Sequence, residues 1–366
     1  MEYYKKVQPT ANNLDGFTSN DTIDFEVLNG GQELINNSFF LDFEVEIKLT
    51  NDIANTDDIF LNPHIGANCF FDSWQVSTAS GMLQNIQNYQ RLTNIITQGT
   101  QCNNDMFSSS NHSSGKGIFK QNGKIALQRN TPQVDSTTPT LFNPQFTVKP
   151  LICFNQVQSG SGNYQFDKNG NIVISCTLAN IENAFFGSTN TATKYTIKNI
   201  QLRYKTRASQ NTQPLLMTSY INIKQTLISE SNVIQSIIPS TMVSGIVMSF
   251  IKQSDIGSSS EDTHRLSVLK DIKALRWMFN GSLQDRITYE IIDIKSMMDQ
   301  GLAVLRSENN NMTYQQLKDN DSFIVGLDFQ QMLDLSKTLQ EVNIDLFSSP
   351  TDTLTAFLYF KEFIKL

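Results

Sequence analysis

The sequence has few cysteines, few histidines and few charged residues, and each shortage argues against a class of protein. Four cysteines (Cys69, Cys102, Cys153 and Cys176) occur among 366 residues, none in a C-x-x-C pair, and the second half has none. We therefore expect neither a disulfide framework nor a zinc site, and reduced thiols in a protein assembled in the cytosol fit better. Charged residues make up 17% of the chain, below the usual share of about a quarter.

Basic clusters and long apolar runs are also missing. The formal net charge is −7 and no run of Lys and Arg stands out, so we expect no direct binding of nucleic acid. The longest apolar stretch, residues 242–251, is interrupted by Ser244, Gly245 and Ser249 and is far shorter than a membrane-spanning helix. Residues 1–20 contain no apolar core of signal-peptide length.

The residues that usually carry chemistry are scattered along the chain. The three histidines, His64, His112 and His264, are far apart and have different sequence surroundings. A catalytic or metal-binding histidine needs partners that converge on it, and since none are apparent we expect structural roles. Cys69 and Cys176 lie in apolar segments typical of a core, whereas Cys102 lies in a polar loop without an apparent base.

Paired carboxylates and glycine-rich turns do not change this interpretation. The pairs Asp57-Asp58 and Glu261-Asp262 lie in loop-like sequence, and no D-x-D-x-D-G calcium loop is present. Three Asn-Gly pairs, at 122–123, 169–170 and 280–281, are hairpin-turn signals, and no G-x-G-x-x-G or Walker loop occurs. We therefore predict no catalytic, cofactor-binding or metal-binding residues and expect that the protein is not an enzyme.

What the sequence does contain is alternation. Apolar residues from Leu41 to Leu49 alternate with charged ones, the pattern of a strand with one buried face. Between Ile197 and Ile200 the apolar step lengthens to three, which predicts a bulge. Further strands are predicted over residues 24–28, 69–76, 171–178, 194–207, 220–228, 242–251, 274–279, 286–294, 323–329, 342–347 and 354–366.

Helical periodicity is rare. Apolar residues at three- and four-residue steps predict a helix over 83–97, and residues 296–307 offer a counterpart in the second half. Many short strands joined by long polar loops favour sandwiches or jelly rolls over βαβ units. The loops at 98–117, 131–143 and 156–169 are expected at the surface.

One sequence feature occurs twice. Trp74 and Trp277, the only tryptophans, are each followed by a Gly-x-Leu-Gln sequence, and the two glycines are 281 − 81 = 200 positions apart. Because the length also exceeds that of a usual single core, we predict two similar domains. The predicted division is an N-terminal arm at 1–22, a first domain at 23–207, a polar linker at 208–214 that ends in proline, and a second domain at 215–366.

The segments that flank each tryptophan resemble those of a known family. Ile65-Gly66-Ala67-Asn68-Cys69-Phe70-Phe71-Asp72-Ser73 and the Ile-x-x-Tyr stretch at 86–89 are similar to the first barrel of double jelly-roll major capsid proteins of the tectivirus–adenovirus lineage, which are hexon-like. The closing segment 195–202 resembles the end of that barrel. Residues 237–250, 275–289, 323–329 and 355–366 are similar to the second barrel, so the resemblance covers roughly 24–366.

The resemblance implies an all-β chain of two tandem eight-stranded jelly rolls with short helices in loops. It also implies a structural protein of the virion, assembled inside the host cell, whose homotrimers form pseudo-hexagonal capsomers that tile an icosahedral shell. No cofactor is expected, and the implied partners are other copies and neighbouring capsomers, together with vertex and minor capsid proteins. The arm at 1–22, which carries Tyr3, Tyr4, Lys5 and Lys6, either ties neighbours or an inner membrane at the capsomer base or is a disordered terminus.

Three alternative functions remain open from the sequence. A vertex or scaffold protein of the same lineage usually has one barrel, and the internal repeat argues against it. A carbohydrate-binding or hydrolytic β-sandwich protein needs an aromatic platform or paired carboxylates in a cleft, and no such pattern is visible. An enzyme of unknown type is the remaining alternative.

Overall fold

The computed structural model describes residues 2–11, 13, 15–28, 30–49, 60–62, 64–100, 113–115, 120–121, 124–126, 145–186, 192–209, 213–258, 261–266, 272–280, 287–305 and 323–366. The strands of the first half are β1 (Glu2–Val7), β2 (Phe17–Thr18), β3 (Thr22–Val27), β4 (Gln32–Leu34), β5 (Phe40–Leu49), β6 (Phe60–Leu61), β7 (Phe71–Thr78), β8 (Gly81–Ile86), β9 (Lys120–Gln121), β10 (Lys124–Ala126), β11 (Gln145–Val148), β12 (Tyr164–Gln165), β13 (Ile172–Leu178) and β14 (Ala192–Ala208). Those of the second half are β15 (Leu216–Leu227), β16 (Ser231–Ile237), β17 (Val243–Lys252), β18 (Ile272–Asn280), β19 (Ile287–Ile291), β20 (Val325–Leu333), β21 (Leu339–Leu346) and β22 (Leu354–Lys365).

Helices are short and lie between the strands. The α-helices are α1 (Tyr89–Thr100), α2 (Phe166–Asn169), α3 (Ile181–Ala184) and α4 (Ile294–Leu305), and 3-10 helices occupy Gly66–Phe70, Cys153–Asn155 and Gln253–Asp255. No described helix is long and apolar enough to cross a membrane.

The second half of the chain is wound as a jelly roll. Its strands form two antiparallel four-stranded sheets with the orders β15-β22-β17-β20 and β16-β21-β18-β19. If the eight strands are counted from β15, these orders read 1-8-3-6 and 2-7-4-5. Each sheet therefore mixes early and late strands, as two Greek keys require.

The first half has the same winding. One sheet has β3-β13-β7-β8, which again is the order 2-7-4-5, and the other has β11-β5-β14 with β1 and β2 on the far side of β14. The short strands β4 and β12 extend the second of these sheets, and β6, β10 and β9 form a small separate sheet. The predicted all-β fold of two tandem jelly rolls is confirmed.

Each barrel has an apolar interior with a tryptophan at its centre. Trp74 lies on β7 and Trp277 on β18, the fourth strand of each barrel, and both are fully buried. Trp74 packs against Phe71 and Tyr89, whereas Trp277 stacks on Phe329 with ring centroids 4.2 Å apart. The two tryptophans therefore occupy equivalent places. The second Gly-x-Leu-Gln sequence, at 281–284, lies outside the described residues.

Period two predicts several strands of the first barrel, among them β3, β5, β13 and β14. The predicted strand at 194–207 is β14, and its register on β5 shifts between Lys198 and Gln201. Asn199 adopts a left-handed conformation there with φ of 51°, so the predicted bulge is confirmed. The shift keeps Ile197 and Ile200 both turned inward, where they are buried.

Other element boundaries were predicted wrongly. The predicted helix at 83–97 is strand β8 up to Ile86 and helix α1 only from Tyr89, because Gly81–Ile86 pairs with β7 and Asn88 turns the chain with φ of 51°. The strand predicted from residue 69 starts at Phe71, after a 3-10 turn. The strand predicted over 286–294 ends at Ile291, since α4 begins at Ile294.

The domain boundaries stay a prediction. Within the predicted arm at 1–22, β1 and β2 both pair with β14 of the first barrel, so this segment forms a sheet edge. In the predicted linker at 208–214, the carbonyl oxygen of Pro214 accepts a backbone hydrogen bond from Gly162 of the first barrel.

The junction between the barrels as a candidate assembly site

The cysteines, histidines and paired carboxylates considered in the sequence analysis do not form a reactive cluster among the described residues. Cys69, Cys153 and Cys176 are buried free thiols, and burial raises their pKa values, that of Cys153 to about 12. A protonated, inaccessible thiol is a poor nucleophile. In the described part of the chain no group of three or more His, Cys, Asp or Glu side chains could hold a metal ion.

The remaining candidates have structural contacts or lie outside the described residues. His264 is buried with its Nε2 atom 2.6 Å from the carbonyl oxygen of Asn183, and burial lowers its pKa to about 3. His64 sits in a turn in which its backbone N–H donates to Asn62. Asp57-Asp58, Cys102 and His112 lie outside the described residues, and the predicted absence of catalytic, cofactor and metal residues stays a prediction.

The two barrels meet at a junction with many polar contacts. It begins with a sheet that is buried on both faces. On β17 and β22, Ile246, Met248, Leu358 and Phe360 belong to the core of the second barrel. The alternate residues Val247, Ile251, Phe357 and Tyr359 instead join the core cluster of the first barrel. The continuous apolar run at 356–360 thus reflects burial on two sides.

Helix α1 of the first barrel lies on this outer face. The guanidinium carbon of Arg91 is 4.5 Å from the ring centroid of Phe357, and its Nη1 donates to the carbonyl of Arg265 at 3.1 Å. Its Nη2 also donates to the carbonyl of Thr263. Burial lowers the pKa of Arg91 to about 10, so the side chain remains charged at neutral pH. A buried cation is tolerated here because carbonyl oxygens and an aromatic face replace water.

A second set of hydrogen bonds extends the junction along the helix and the strand before it. Asn94 donates to the carbonyl of His264 at 2.6 Å, and the Tyr359 hydroxyl donates to the carbonyl of Asn88 at 2.9 Å. Strand β8 contributes Gln84, which donates to Ser219 on β15 at 3.2 Å. Polar groups of β8 and α1 therefore bond to β15, to β22 and to the loop that contains His264 in the second barrel.

Loops close the junction on one side. Asn62 donates to Asp262 at 2.7 Å, and the same carboxylate group accepts from the backbone of His264 at 2.9 Å. Burial raises the pKa of Asp262, and the hydrogen bonds from His264 and Asn62 oppose that rise. The pair Glu261-Asp262 was considered above as a carboxylate pair for a calcium site. In the structure Glu261 is exposed, whereas Asp262 accepts hydrogen bonds within the junction.

The equivalent outer face of the first barrel is charged instead of apolar. Asp42 on β5 accepts two hydrogen bonds from Arg203 on β14, one of them at 2.8 Å. Burial opposes ionisation of Asp42, but the hydrogen bonds from Arg203 and Thr147 outweigh it and lower the pKa. Further pairs on this face are Lys198 with Glu46, Arg207 with Glu33 and Lys205 with Glu2.

A cavity of about 660 Å³ lies beside the junction. Its walls include Phe40 and Lys149 of the first barrel, Thr97 of α1, and Tyr220 and Lys361 of the second barrel. Burial lowers the pKa of Lys149. The lining mixes aliphatic, aromatic, hydroxyl, amide and amine groups. It brings no nucleophile together with a base, so we interpret the cavity as a gap between packed surfaces.

Sequence comparisons find no match, whereas structural comparisons find proteins with a similar fold. No family model and no curated protein matches the chain. The Faustovirus major capsid protein aligns with a TM-score of 0.60 at 9% identity, covering 100% of this chain and 90% of that protein. The PBCV-1 capsid structure gives a TM-score of 0.61 at 10% identity, with coverage of 100% and 94%. The mavirus major capsid protein gives 0.54 at 9% identity, with coverage of 98% and 86%.

These similarities, together with the strand order, establish the class of fold. The chain has the double jelly-roll fold found in viral major capsid proteins, as the sequence resemblance predicted. The proteins it resembles are capsid components rather than enzymes.

Proposed function

We propose that this protein is a major capsid protein, of which three copies form a pseudo-hexagonal capsomer that tiles an icosahedral virus shell. The junction between the barrels is the observation that carries the proposal. It joins two different surfaces, α1 and β8 of one barrel and the outer face of β15-β22-β17 of the other. A contact between unlike surfaces is head-to-tail, and such a contact forms a ring when its rotation closes.

Three chains with two barrels each supply six similar positions for such a ring. Within one chain the two barrels are already joined by a junction that is apolar at the centre and hydrogen-bonded at the rim. The protein therefore acts as a preformed pair of building blocks, and its role is structural rather than catalytic.

The solution mass of the purified protein tests this function. We expect a stable trimer of the 41.3 kDa chain by light scattering or mass photometry, and hexagonal outlines by negative-stain electron microscopy. A monodisperse monomer at every concentration, or a fivefold particle, would overturn the proposal. The fivefold result would instead favour a vertex protein.

The second candidate, a carbohydrate-binding β-sandwich protein, has less support. Among the described residues the strongly exposed aromatic side chains are Tyr3, Tyr4 and Phe347, which lie on strand β1 or directly after strand β21. A sugar platform needs several aromatic rings side by side. Binding of the purified protein to a glycan array, without a trimer in solution, would favour this function over the capsid proposal.

The proposal extends to partners in the virion. We expect contacts with neighbouring capsomers and with vertex and minor capsid proteins, and a contact between residues 1–22 and either neighbours or an inner membrane. Tyr4 and Lys6 lie exposed on β1 and are suited to such a contact. Co-sedimentation of the trimer with anionic phospholipid vesicles, compared with a Tyr4→Ala and Lys6→Glu variant, tests the membrane contact. Equal sedimentation of the two proteins would exclude it.

A further inference from the structure

The cavity of about 660 Å³ beside the junction lies over the outer face of the second barrel. On β22 of that face, Phe357 and Tyr359 are buried under the first barrel. The next residue on the same face is Lys361, whose register partner on β15 is Tyr220. Register partners carry their side chains on one face of a sheet, and both of these line the cavity. The packing of the two barrels therefore leaves a gap at Tyr220 and Lys361.

Tyr220 brings an unused hydrogen-bond donor to this gap. Its side chain is 4% exposed, and its hydroxyl forms no hydrogen bond within the described part of the chain. Burial raises the pKa of Tyr220, so the hydroxyl keeps its proton at neutral pH. A buried hydroxyl without a partner is unfavourable, because it has lost hydrogen bonds to bulk water. An acceptor bound in the cavity would satisfy it.

Lys149 brings a positive charge from the first barrel. It directly follows strand β11 and lines the same cavity. Its ammonium group forms no ion pair and no hydrogen bond with the residues that the structure describes, and desolvation lowers its pKa. Partial dehydration of a cation without a counter-ion is unfavourable. A bound anion would compensate for the lost water.

The charged groups of the lining have one sign. Lys149 and Lys361 are basic, and no Asp or Glu occurs among the described residues that line the cavity. The last turn of α4 reaches the cavity at Leu305, and the carbonyl groups of a helix end disfavour an anion. Lys361 offsets this effect, because its Nζ donates a hydrogen bond to the carbonyl of Val304 in that turn. The cavity is therefore suited to a negatively charged ligand.

We propose that this cavity binds a short phosphate chain, of two or three phosphoryl groups, between Lys149 of the first barrel and the pair Tyr220 and Lys361 of the second. Cations from two different barrels favour a ligand with several negative charges, and phosphoryl oxygens accept hydrogen bonds from both ammonium and hydroxyl groups. The volume of about 660 Å³ lies within the range of small-molecule sites and leaves room for more than one phosphoryl group. The ligand joins the two barrels of one chain, so the proposal goes beyond the capsid function and does not depend on it.

Isothermal titration calorimetry of the purified 366-residue chain tests the site. The first probe is sodium tripolyphosphate without a divalent metal, and we expect one site per chain with a Kd below about 100 μM, from two or three charge-assisted hydrogen bonds. The second probe is adenosine triphosphate. Equal affinity for the two probes would support recognition of the phosphate chain alone, and tighter binding of the nucleotide would support a phosphate site that also contacts the nucleoside. No binding of either probe up to about 5 mM would overturn the proposal.

Three substitutions locate the binding site. Lys149→Gln removes the charge and should weaken tripolyphosphate binding at least about tenfold, whereas Tyr220→Phe removes only the hydroxyl and should weaken it about threefold to tenfold. The matched control is Lys168→Gln, since Lys168 is exposed on α2 of the same barrel and does not line the cavity. The control should keep its Kd within about twofold. Equal losses in the Lys149 and Lys168 variants, or unchanged affinity in both cavity variants, would overturn the site.

Thermal melting separates a role in binding from a role in folding. Without the probe, Lys149→Gln should melt at the temperature of the wild type or above it, because the variant lacks an unpaired, partly dehydrated cation. With about 5 mM tripolyphosphate the order should reverse, and the wild type should melt about 3 °C or more above the variant. A variant that loses the same stability with and without the probe would assign Lys149 a structural role and refute its part in binding.

The two proposals fail separately. A monomer that binds tripolyphosphate through Lys149 would support the site and overturn the capsid function. A trimer that does not bind the probe would overturn the site and leave the capsid function in place.

Discussion

Arg91 of the first barrel lies over the ring of Phe357 of the second, with its guanidinium carbon 4.5 Å from the ring centroid. The contact joins a helix and a strand that are 266 positions apart, 357 − 91, and both residues are almost completely buried. A buried arginine held by backbone carbonyls and an aromatic face fixes how the two barrels sit on each other. Substitutions in the junction therefore test whether the two jelly rolls unfold as one cooperative unit.

Arg91→Ala should destabilise the protein strongly. The substitution leaves the carbonyls of Thr263 and Arg265 without their buried donor and removes the cation from the Phe357 ring. We expect a loss of about 2–4 kcal/mol in the free energy of unfolding, measured by urea denaturation. The control is Arg265→Ala, because the side chain of Arg265 is 34% exposed and pairs with Asp255 at the surface. That variant should lose less than about 1 kcal/mol. Equal losses in the two variants would contradict the structural role of Arg91.

Gly301→Ala should destabilise the contact between α4 and β20. A Cβ atom at position 301 would lie 2.8 Å from the carbonyl carbon of Val325 and 3.0 Å from the amide nitrogen of Gly326, and these backbone atoms cannot move aside as a side chain can. Alanine is the better helix former by about 1 kcal/mol, so a net loss of about 1–3 kcal/mol would identify overpacking as the cause. The matched variant is Ala303→Ser on the exposed face of the same helix, which should change stability by less than about 0.5 kcal/mol. Thermal melting followed by circular dichroism compares the two, and a Gly301→Ala variant more stable than wild type would refute the close approach.

Much of the fold follows from the sequence, and most of the junction does not. Strands such as β5 and β14 face water on one side, so their alternation reveals both the strand and its inward face. Strand β16 was missed because apolar and polar residues do not alternate along it: Val233 and Ile237 are exposed, whereas Asn232 and Ile234 are buried. In α1 the polar residues Arg91, Asn94 and Gln98 have the pattern of a solvated helix face, and only the position of the second barrel explains their burial. A sequence pattern reports which side of an element is apolar but does not report a polar side that is covered by a distant part of the chain.

The stability of the junction should depend on pH through His264. Burial and the nearby charge of Arg91 lower its pKa from 6.5 to about 3, so between these values the unfolded chain binds a proton that the folded chain does not. Stability should therefore fall as the pH decreases below 6.5, by up to about 1.4 kcal/mol per pH unit. The raised pKa of the neighbouring Asp262 acts in the opposite direction, since the folded state takes up a proton there more readily.

The variant His264→Gln isolates the histidine contribution. Glutamine retains a donor that can face the carbonyl oxygen of Asn183 but does not titrate. We expect its urea midpoint to change less between pH 6.5 and pH 5 than that of the wild type. Parallel pH profiles of the two proteins would show that His264 does not couple protonation to folding.

The three described cysteines should be unreactive until the protein unfolds. Cys69, Cys153 and Cys176 are each at most 1% exposed, and burial raises the pKa values of all three thiols. Because the thiolate is the reactive form, treatment of the native protein with a maleimide should leave these positions unmodified over hours, whereas 8 M urea should expose them within minutes, as peptide mass spectrometry would show. The comparison also reports on the barrels separately, since all three thiols lie in the first. Rapid labelling of Cys176 in native protein would mean that the sheet of β3, β13, β7 and β8 opens readily, and this would argue against a barrel rigid enough to build a shell.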